Sequence, residues 1–304
     1  MSKREIRKNL RDSLGFTGES VTIPQFESNA RQLWTIDDAK SRISHQIRGM
    51  IKNTLIKKSP RYDELLALMR DRDADKKMVA KQINDALEEL GFTEADITEL
   101  RDVELATNIT YQALDIAKCE AEKMLLKSLE EMNIWNHYLK NVRGIGILTA
   151  SKLLYEINGI TRFNKPSKLV KYCGLAVNGD GVQRQRKGQV ADYKPSLKAL
   201  LLGVIGDNFI KSNSQYRVVY DERRKHTKEN RPEWGVHPNG KKKEYLAHYH
   251  ADASRVMVKR FLVEFWKAGW LAEGLEVPSK PYPVAILGHD EEPDIVPYDQ
   301  SENE

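Results

Sequence analysis

The stretch Leu139-Lys-Asn-Val-Arg-Gly-Ile-Gly-Ile-Leu-Thr-Ala-Ser-Lys-Leu-Leu154 decides how this chain is read. Gly144 and Gly146 are separated by one apolar residue and flanked by apolar-periodic segments, a pattern that suits a tight connection between two helices. Lacking Cβ atoms, they let the chain turn sharply and bring backbone N–H groups to a phosphate at the start of the next helix. That is the logic of a helix-hairpin-helix, which holds DNA by its backbone. The same residues fit an ordinary helix-ending glycine followed by a new helix, so the pair alone leaves both readings open.

Charge along the chain favours the first. Residues 141–270 carry 25 Lys+Arg against 11 Asp+Glu, a net +14, and the block begins at the glycine pair. Residues 1–140 are near balance at −1 and residues 271–304 carry −8, so the total of +5 conceals the asymmetry. A block this basic attracts polyanions, and counterion release from DNA or RNA supplies much of the affinity.

The 304 residues, 40% hydrophobic, are enough for about two folded domains. No apolar run is long enough to span a membrane and the start lacks the apolar core of a signal peptide, so an intracellular, nucleoid-associated protein is expected. Cys119 and Cys173 have no CxxC partner and are expected as buried thiols.

The pattern predicts a mainly α protein. Residues 1–34 read as a basic irregular arm. A helix is expected from Thr35, as N-cap, to about Lys58, with Ile36, Ile43, Ile47, Met50, Ile51 and Leu55 inward. Two shorter helices follow, over 61–71 and 75–90, the second closed by Gly91. A long helix from Glu94 or Glu99 to Leu139 carries Ile109, Ala113, Ala117, Ala121, Met124, Leu125, Leu129, Met132 and Trp135 at near-helical spacing. Residues 35–138 therefore read as a helical hairpin or dimerising coiled coil.

Beyond the glycine pair, short helices are expected over 152–158 and from Pro166. Asn178-Gly-Asp-Gly181 signals a turn, and Val182–Val190 a small basic β-hairpin or loop. Helices starting at Pro195, at Tyr216 and over Tyr245–Trp266 follow, the last with Ala247, Ala251, Val258, Phe261, Leu262 and Phe265 inward and Arg255, Lys259 and Arg260 outward. Residues 271–304, acidic and Pro-containing, read as a disordered tail.

Residues 139–270 resemble the carboxy-terminal transposase domain of the IS-one-ten/IS-one-sixteen insertion-sequence family. The likeness lies in the order Val142-Arg-Gly-Ile-Gly146, Ala150, Leu153-Leu154, Ile160-Thr-Arg-Phe163, Leu169 and Tyr172-Cys-Gly-Leu175, then a basic turn with Gly188, Leu197-Lys-Ala-Leu200-Leu-Leu and Ala253-x-Arg255. The resemblance implies a domain that follows a RuvC-like nuclease domain and a coiled coil, and that supplies a catalytic serine shortly after the Gly-Leu pair. This chain departs twice. Residues 1–35 are too short for a RuvC-like fold, and Val177–Val182 holds no Ser, Thr or Tyr, so no catalytic residue is assigned.

The expected DNA-binding set is Arg143, Gly144, Gly146 and Lys152 at the hairpin, Arg184, Arg186, Lys187, Lys194 and Lys198 around the basic turn, and Lys241, Lys242 and Lys243 in a loop. Trp234 and Tyr245 are read as packed aromatics before base-stacking ones. His237, His248 and His250 and the acidic run Asp71–Asp75 lack metal-ligand spacing, so no metal and no cofactor is expected. The expectation is an inactive, transposase-derived protein binding duplex DNA through phosphates, homodimeric through its amino-terminal helices. An active recombinase needing another subunit, an RNA binder and a structural scaffold are the alternatives.

Overall fold

A run of helices with one short strand pair makes up the structure, a computed structural model that describes residues 24–71, 74–178, 181–185, 188, 190–236, 245–280 and 294–296. It divides into two compact units, residues 31–124 and residues 1–30 with 125–304. The second unit therefore begins before the expected residue 139, and takes in the end of the preceding helix.

In the first unit, helix α1 (Pro24–Ile56) enters from the second unit and is followed by α2 (Tyr62–Arg70), α3 (Lys76–Glu89), α4 (Glu94–Thr107) and α5 (Ile109–Glu130). The helix starts at Pro24, not Thr35. A proline fits the first turn because its missing N–H has no acceptor there, and Thr35 bonds back to the Arg31 carbonyl from mid-helix. The part of the expected arm beyond 23 is thus helical, and residues 1–23 lie outside the described residues.

Ile47, Ile51, Ile56, Leu65, Ala86, Leu87, Ile97 and Leu105 form a core, with Ile43, Leu55, Tyr62, Ile83, Phe92 and Tyr111 against it. Met50, expected inward, is 54% exposed. Gly91 closes α3 at φ +83, as its sequence position predicts. Thr93 and Asp96 cap α4 reciprocally through side chain and backbone.

The long helix expected to Leu139 is broken. Asn108 adopts an extended ψ of 107, and its Oδ1 accepts the Tyr111 N–H at 2.9 Å, starting α5 as a new helix. Apolar spacing continues across this break, which is why the pattern conceals it. Ala121 and Leu125 are buried, but Ile109 is 85% and Ile116 70% exposed, and Cys119 beside them is exposed, contrary to expectation. α1 and α5 run antiparallel, joined by Asp37–Lys118 at 2.6 Å and by Lys40–Asp115.

The second unit continues from Leu125 with α6 (Asn133–His137), a 3₁₀ turn (Leu139–Asn141), α7 (Ile147–Ile157) and α8 (Pro166–Tyr172). The two-residue strands β1 (Val177–Asn178) and β2 (Gly181–Val182) pair antiparallel, Val177 opposite Val182. Next come α9 (Pro195–Ala199), a π turn (Leu200–Ile205), α10 (Gly206–Lys211), α11 (Arg217–Asn230) and α12 (Ala247–Ala272).

Helix α12 forms the spine of this unit. Met257, Val258, Phe261, Leu262, Phe265 and Trp266 are fully buried along it. The Phe261 ring lies 5.3 Å from Phe209 and 5.6 Å from Tyr216, both edge-on. Gly269 admits Ile160, whose Cγ2 lies 2.3 Å from where a Cβ would stand. Ala247 and Ala251, expected inward, are exposed on the first turns, whereas Arg255, Lys259 and Arg260, expected outward, are half-buried. Of the acidic tail expected over 271–304, residues 281–293 and 297–304 lie outside the described residues, and 294–296 lie against this helix. Glu264, 2% exposed, accepts Arg260 Nε, the Tyr216 hydroxyl and the backbone N–H groups of Ile295 and Val296, while Lys267 pairs with Asp294 at 3.0 Å.

Candidate nucleic-acid interface

The glycine hairpin is built as Val142, Arg143, Gly144, Ile145 and Gly146 between the 3₁₀ turn and α7. Val142 and Ile145 plug it into the core, and the Ile145 N–H bonds to the Val142 carbonyl. The two glycines part company. Gly144 sits at φ +98, and a Cβ there would lie 3.0 Å from Ser212 Oγ, 3.2 Å from Phe209 and 3.3 Å from the Asn208 backbone. Its lack of a side chain therefore serves close packing on α10. Gly146 is exposed, and a Cβ there meets nothing within 4 Å.

Two amides latch the hairpin from across the sequence. Gln215 accepts the Arg143 N–H at 3.1 Å and donates to the Asn141 carbonyl at 2.8 Å, and Asn208 donates to the Gly144 carbonyl at 3.2 Å. The Arg143 amide is thus engaged, while its side chain is exposed. The first N–H groups of α7 follow Gly146 and have no intrahelical acceptor, the usual condition at a helix start. Lys152 is half-buried on α7.

The basic turn is held by Gln183, 5% exposed. Its Oε1 accepts the Ala176 N–H at 3.2 Å, its Nε2 donates to Asp192 at 3.1 Å, and its carbonyl accepts Lys198 Nζ. Behind it, Tyr193 fills the space that Gly174, at φ +72, leaves open: a Cβ on Gly174 would lie 2.3 Å from that ring. This gives the Gly174-Leu175 pair a physical reason.

The expected cations of the hairpin, basic turn and loop fall into four groups. Arg143 and Arg184 are exposed, and neither forms an ion pair among the described residues. Lys194 is tied to Glu156 on α7 by side chain and backbone carbonyl, so its charge is largely spent internally. Lys198 lies half-buried 5.0 Å over the Tyr193 ring, and burial, then Arg255 and Arg184, hold its pKa below the usual lysine range. Arg186, Lys187 and Lys241–Lys243 lie outside the described residues.

Periodicity reads Arg255 and Lys259 on α12 as outward, yet both are half-buried and Arg255 lies within electrostatic reach of Lys198. Arg255 depresses the pKa of Lys198, and Lys259 is also held low, by burial first and then by Arg255. A spacing of three and four residues from Asp252 to Arg255 to Lys259 was the available signal. His250 bonds the Tyr220 hydroxyl at 2.9 Å, and His248 packs on Trp234 and Tyr245. Trp234 and Tyr245 are half-buried, with Trp234 also under Arg231. Among the described residues no His, Cys, Asp or Glu group is placed to hold a metal, and no helix is long and apolar enough to cross a membrane.

The class these features define is a helical, cation-bearing domain organised around a latched glycine hairpin. Residues 136–202, from α6 through the hairpin and basic turn into the π turn, match the model of the transposase IS116/IS110/IS902 family. The match bears out the resemblance of the carboxy-terminal part to that family's transposase domain. No curated protein and no solved structure matches the chain.

Proposed function

We propose that this is a transposase-derived protein whose carboxy-terminal unit binds duplex DNA through backbone phosphates and does not cut it. The observation that carries the reading is that the transposase match covers the stretch placing open backbone at Gly146 and the exposed charges of Arg143 and Arg184. Amides and cations of this kind read phosphates and carry little sequence information. The +14 block supplies the long-range attraction.

Inactivity rests on chemistry. Phosphoryl transfer through a covalent intermediate needs a hydroxyl, and Val177–Val182 has none. Among nearby serines, Ser212 donates to the Asn208 carbonyl, Ser214 is buried, and Ser196 lies in the first turn of α9. Self-association through the amino-terminal helices is the accompanying reading, supported by the exposed Ile109 and Ile116 on α5.

The test uses full-length protein with a labelled DNA duplex and an RNA hairpin of equal length. The expected result is duplex binding at least as tight as RNA binding, with no covalent protein–DNA adduct after denaturation. Preferential capture of RNA, or co-purified nucleic acid destroyed by RNase and resistant to DNase, contradicts the DNA reading. A covalent adduct contradicts inactivity.

A further inference from the structure

Helix α12 presents Asp252, Arg255 and Lys259 on one side, and this side gathers more positive charge than it neutralises. Asp252 is shared: one oxygen takes Arg223 Nε at 2.6 Å and Thr227 Oγ1 at 3.0 Å, and the other lies 3.7 Å from Arg255 Nη1. Arg255 Nε is buried and has no hydrogen-bond partner among the described residues, although 21% of the side chain remains exposed. A buried, unpaired guanidinium nitrogen is costly unless something accepts from it.

Two lysines lie within electrostatic reach of this arginine, and one of them also feels a second arginine. Lys198 arrives from α9, fixed by the Gln183 carbonyl and the Tyr193 ring; Arg184 follows β2; Lys259 stands one turn along α12. Lys198 feels Arg255 and Arg184, and Lys259 feels Arg255 and, oppositely, Asp252. Half-buried cations crowded around a single shared carboxylate form a ready anion site, because one bound dianion or diester relieves their mutual repulsion.

We propose that Arg255, Lys198, Lys259 and Arg184 form a discrete binding site for one phosphate group, occupied by a phosphodiester of the nucleic-acid backbone. The guanidinium supplies directed N–H donors and the two ammonium groups supply point charge. The identity of the occupant rests on the function proposed above, whereas the phosphate chemistry does not. The site lies apart from the glycine hairpin in sequence and gives the domain a second grip on the backbone.

The experiment has two arms, run on the full chain and on Arg255→Gln, Lys259→Gln and Lys123→Gln, with folding checked by circular dichroism. In the first, inorganic phosphate is titrated while the Lys198 and Lys259 side chains are followed by NMR. Saturable shifts are expected in the wild type and in Lys123→Gln, weakened at least about fivefold in Arg255→Gln and in Lys259→Gln. In the second, duplex affinity is measured across a salt series. Each variant of the site should lower the magnitude of the log–log slope by about 1, and Lys123→Gln should not.

Phosphate and duplex binding by folded Arg255→Gln and Lys259→Gln equal to wild type overturns the proposal. If Arg255→Gln does not fold, Lys259→Gln decides alone. Arg255-dependent phosphate binding by a protein that ignores duplexes upholds the phosphate site and overturns its nucleic-acid occupant. Absence of saturable phosphate shifts, with duplex binding intact, removes this site and leaves the function proposed for the hairpin standing.

Discussion

Residues 31–124 carry 16 Lys+Arg and 18 Asp+Glu, and residues 141–270 carry 25 and 11. In the first unit, Lys40, Lys118, Arg48 and Lys52 all end on carboxylates of neighbouring helices, tying α1 to α5 and α4 around an aliphatic core. In the second unit the core is aromatic; among the described residues the surface Arg143 and Arg184 form no ion pair, and Lys198 and Lys259 are crowded by Arg255. The contrast separates charge that joins helices from charge available to a ligand. It predicts that substitutions in the two units fail in different ways.

The largest effect is expected within the hairpin itself. Gly144→Val forces a β-branched residue to φ +98 and into Ser212, Phe209 and Asn208, so a loss of about 3–5 kcal/mol in urea unfolding is expected. Gly146→Ala should cost about 1 kcal/mol or less, since space is open there, while weakening duplex binding more than Gly144 chemistry alone would suggest. Equal stability losses in the two variants would break the distinction between a packing glycine and an open one.

Next is the buried tyrosine pair. The Tyr216 hydroxyl lies between Tyr138, 2.5 Å away, and Glu264, and burial raises both tyrosine pKa values. Tyr216→Phe removes one acceptor and one donor from a dry network, a loss of about 1–2 kcal/mol by thermal or chemical unfolding. Arg260 and the Ile295 and Val296 amides still serve Glu264, which keeps the loss from growing larger.

Alkaline titration sharpens the account of the free charges. Lys198 faces Arg255 and Arg184, and Lys259 faces Arg255 and Asp252, and both have folded pKa values below the unfolded ones. Between the lowered value and the ordinary lysine value of about 10.4 the unfolded chain binds more protons, so their contribution to stability rises with pH in that window. Duplex binding should move the opposite way, and the affinity gap between wild type and Lys198→Gln should close as pH approaches about 10. A gap that widens contradicts the assignment. The smallest effect belongs to the first unit, where Asp37→Ala breaks a partly exposed pair and should cost about 0.5 kcal/mol with no change in duplex affinity.

Local chemistry was legible in the sequence where it decided the structure. Pro166 and Pro195 start helices, Gly91 ends one, and a strand pair flanks the expected 178–181 turn, with Asn178 opposite Gly181. What was hidden depends on distant partners or on competition between equal local signals. Pro24 reads as part of an irregular arm, and the helix that starts there buries Phe26 and Ala30, which no nearby residue announces. Asn108 breaks a periodic stripe without disturbing its spacing. Gln215 and Asn208 reach the hairpin from more than sixty residues away, so nothing near residue 143 announces that its amide is engaged. Arg255 and Lys259 read as outward because helical periodicity assigns a polar side and does not say what packs against it.

The central claim is that the second unit holds DNA by its phosphates, and the direct measurement is duplex affinity of the wild type and of Arg143→Glu/Arg184→Glu across a salt series. The account predicts a linear fall of log K with log salt, and a slope smaller in magnitude by about 2 in the double variant with affinity reduced at least about tenfold. A wild-type affinity indifferent to salt, or a double variant that binds as the wild type does, would contradict it.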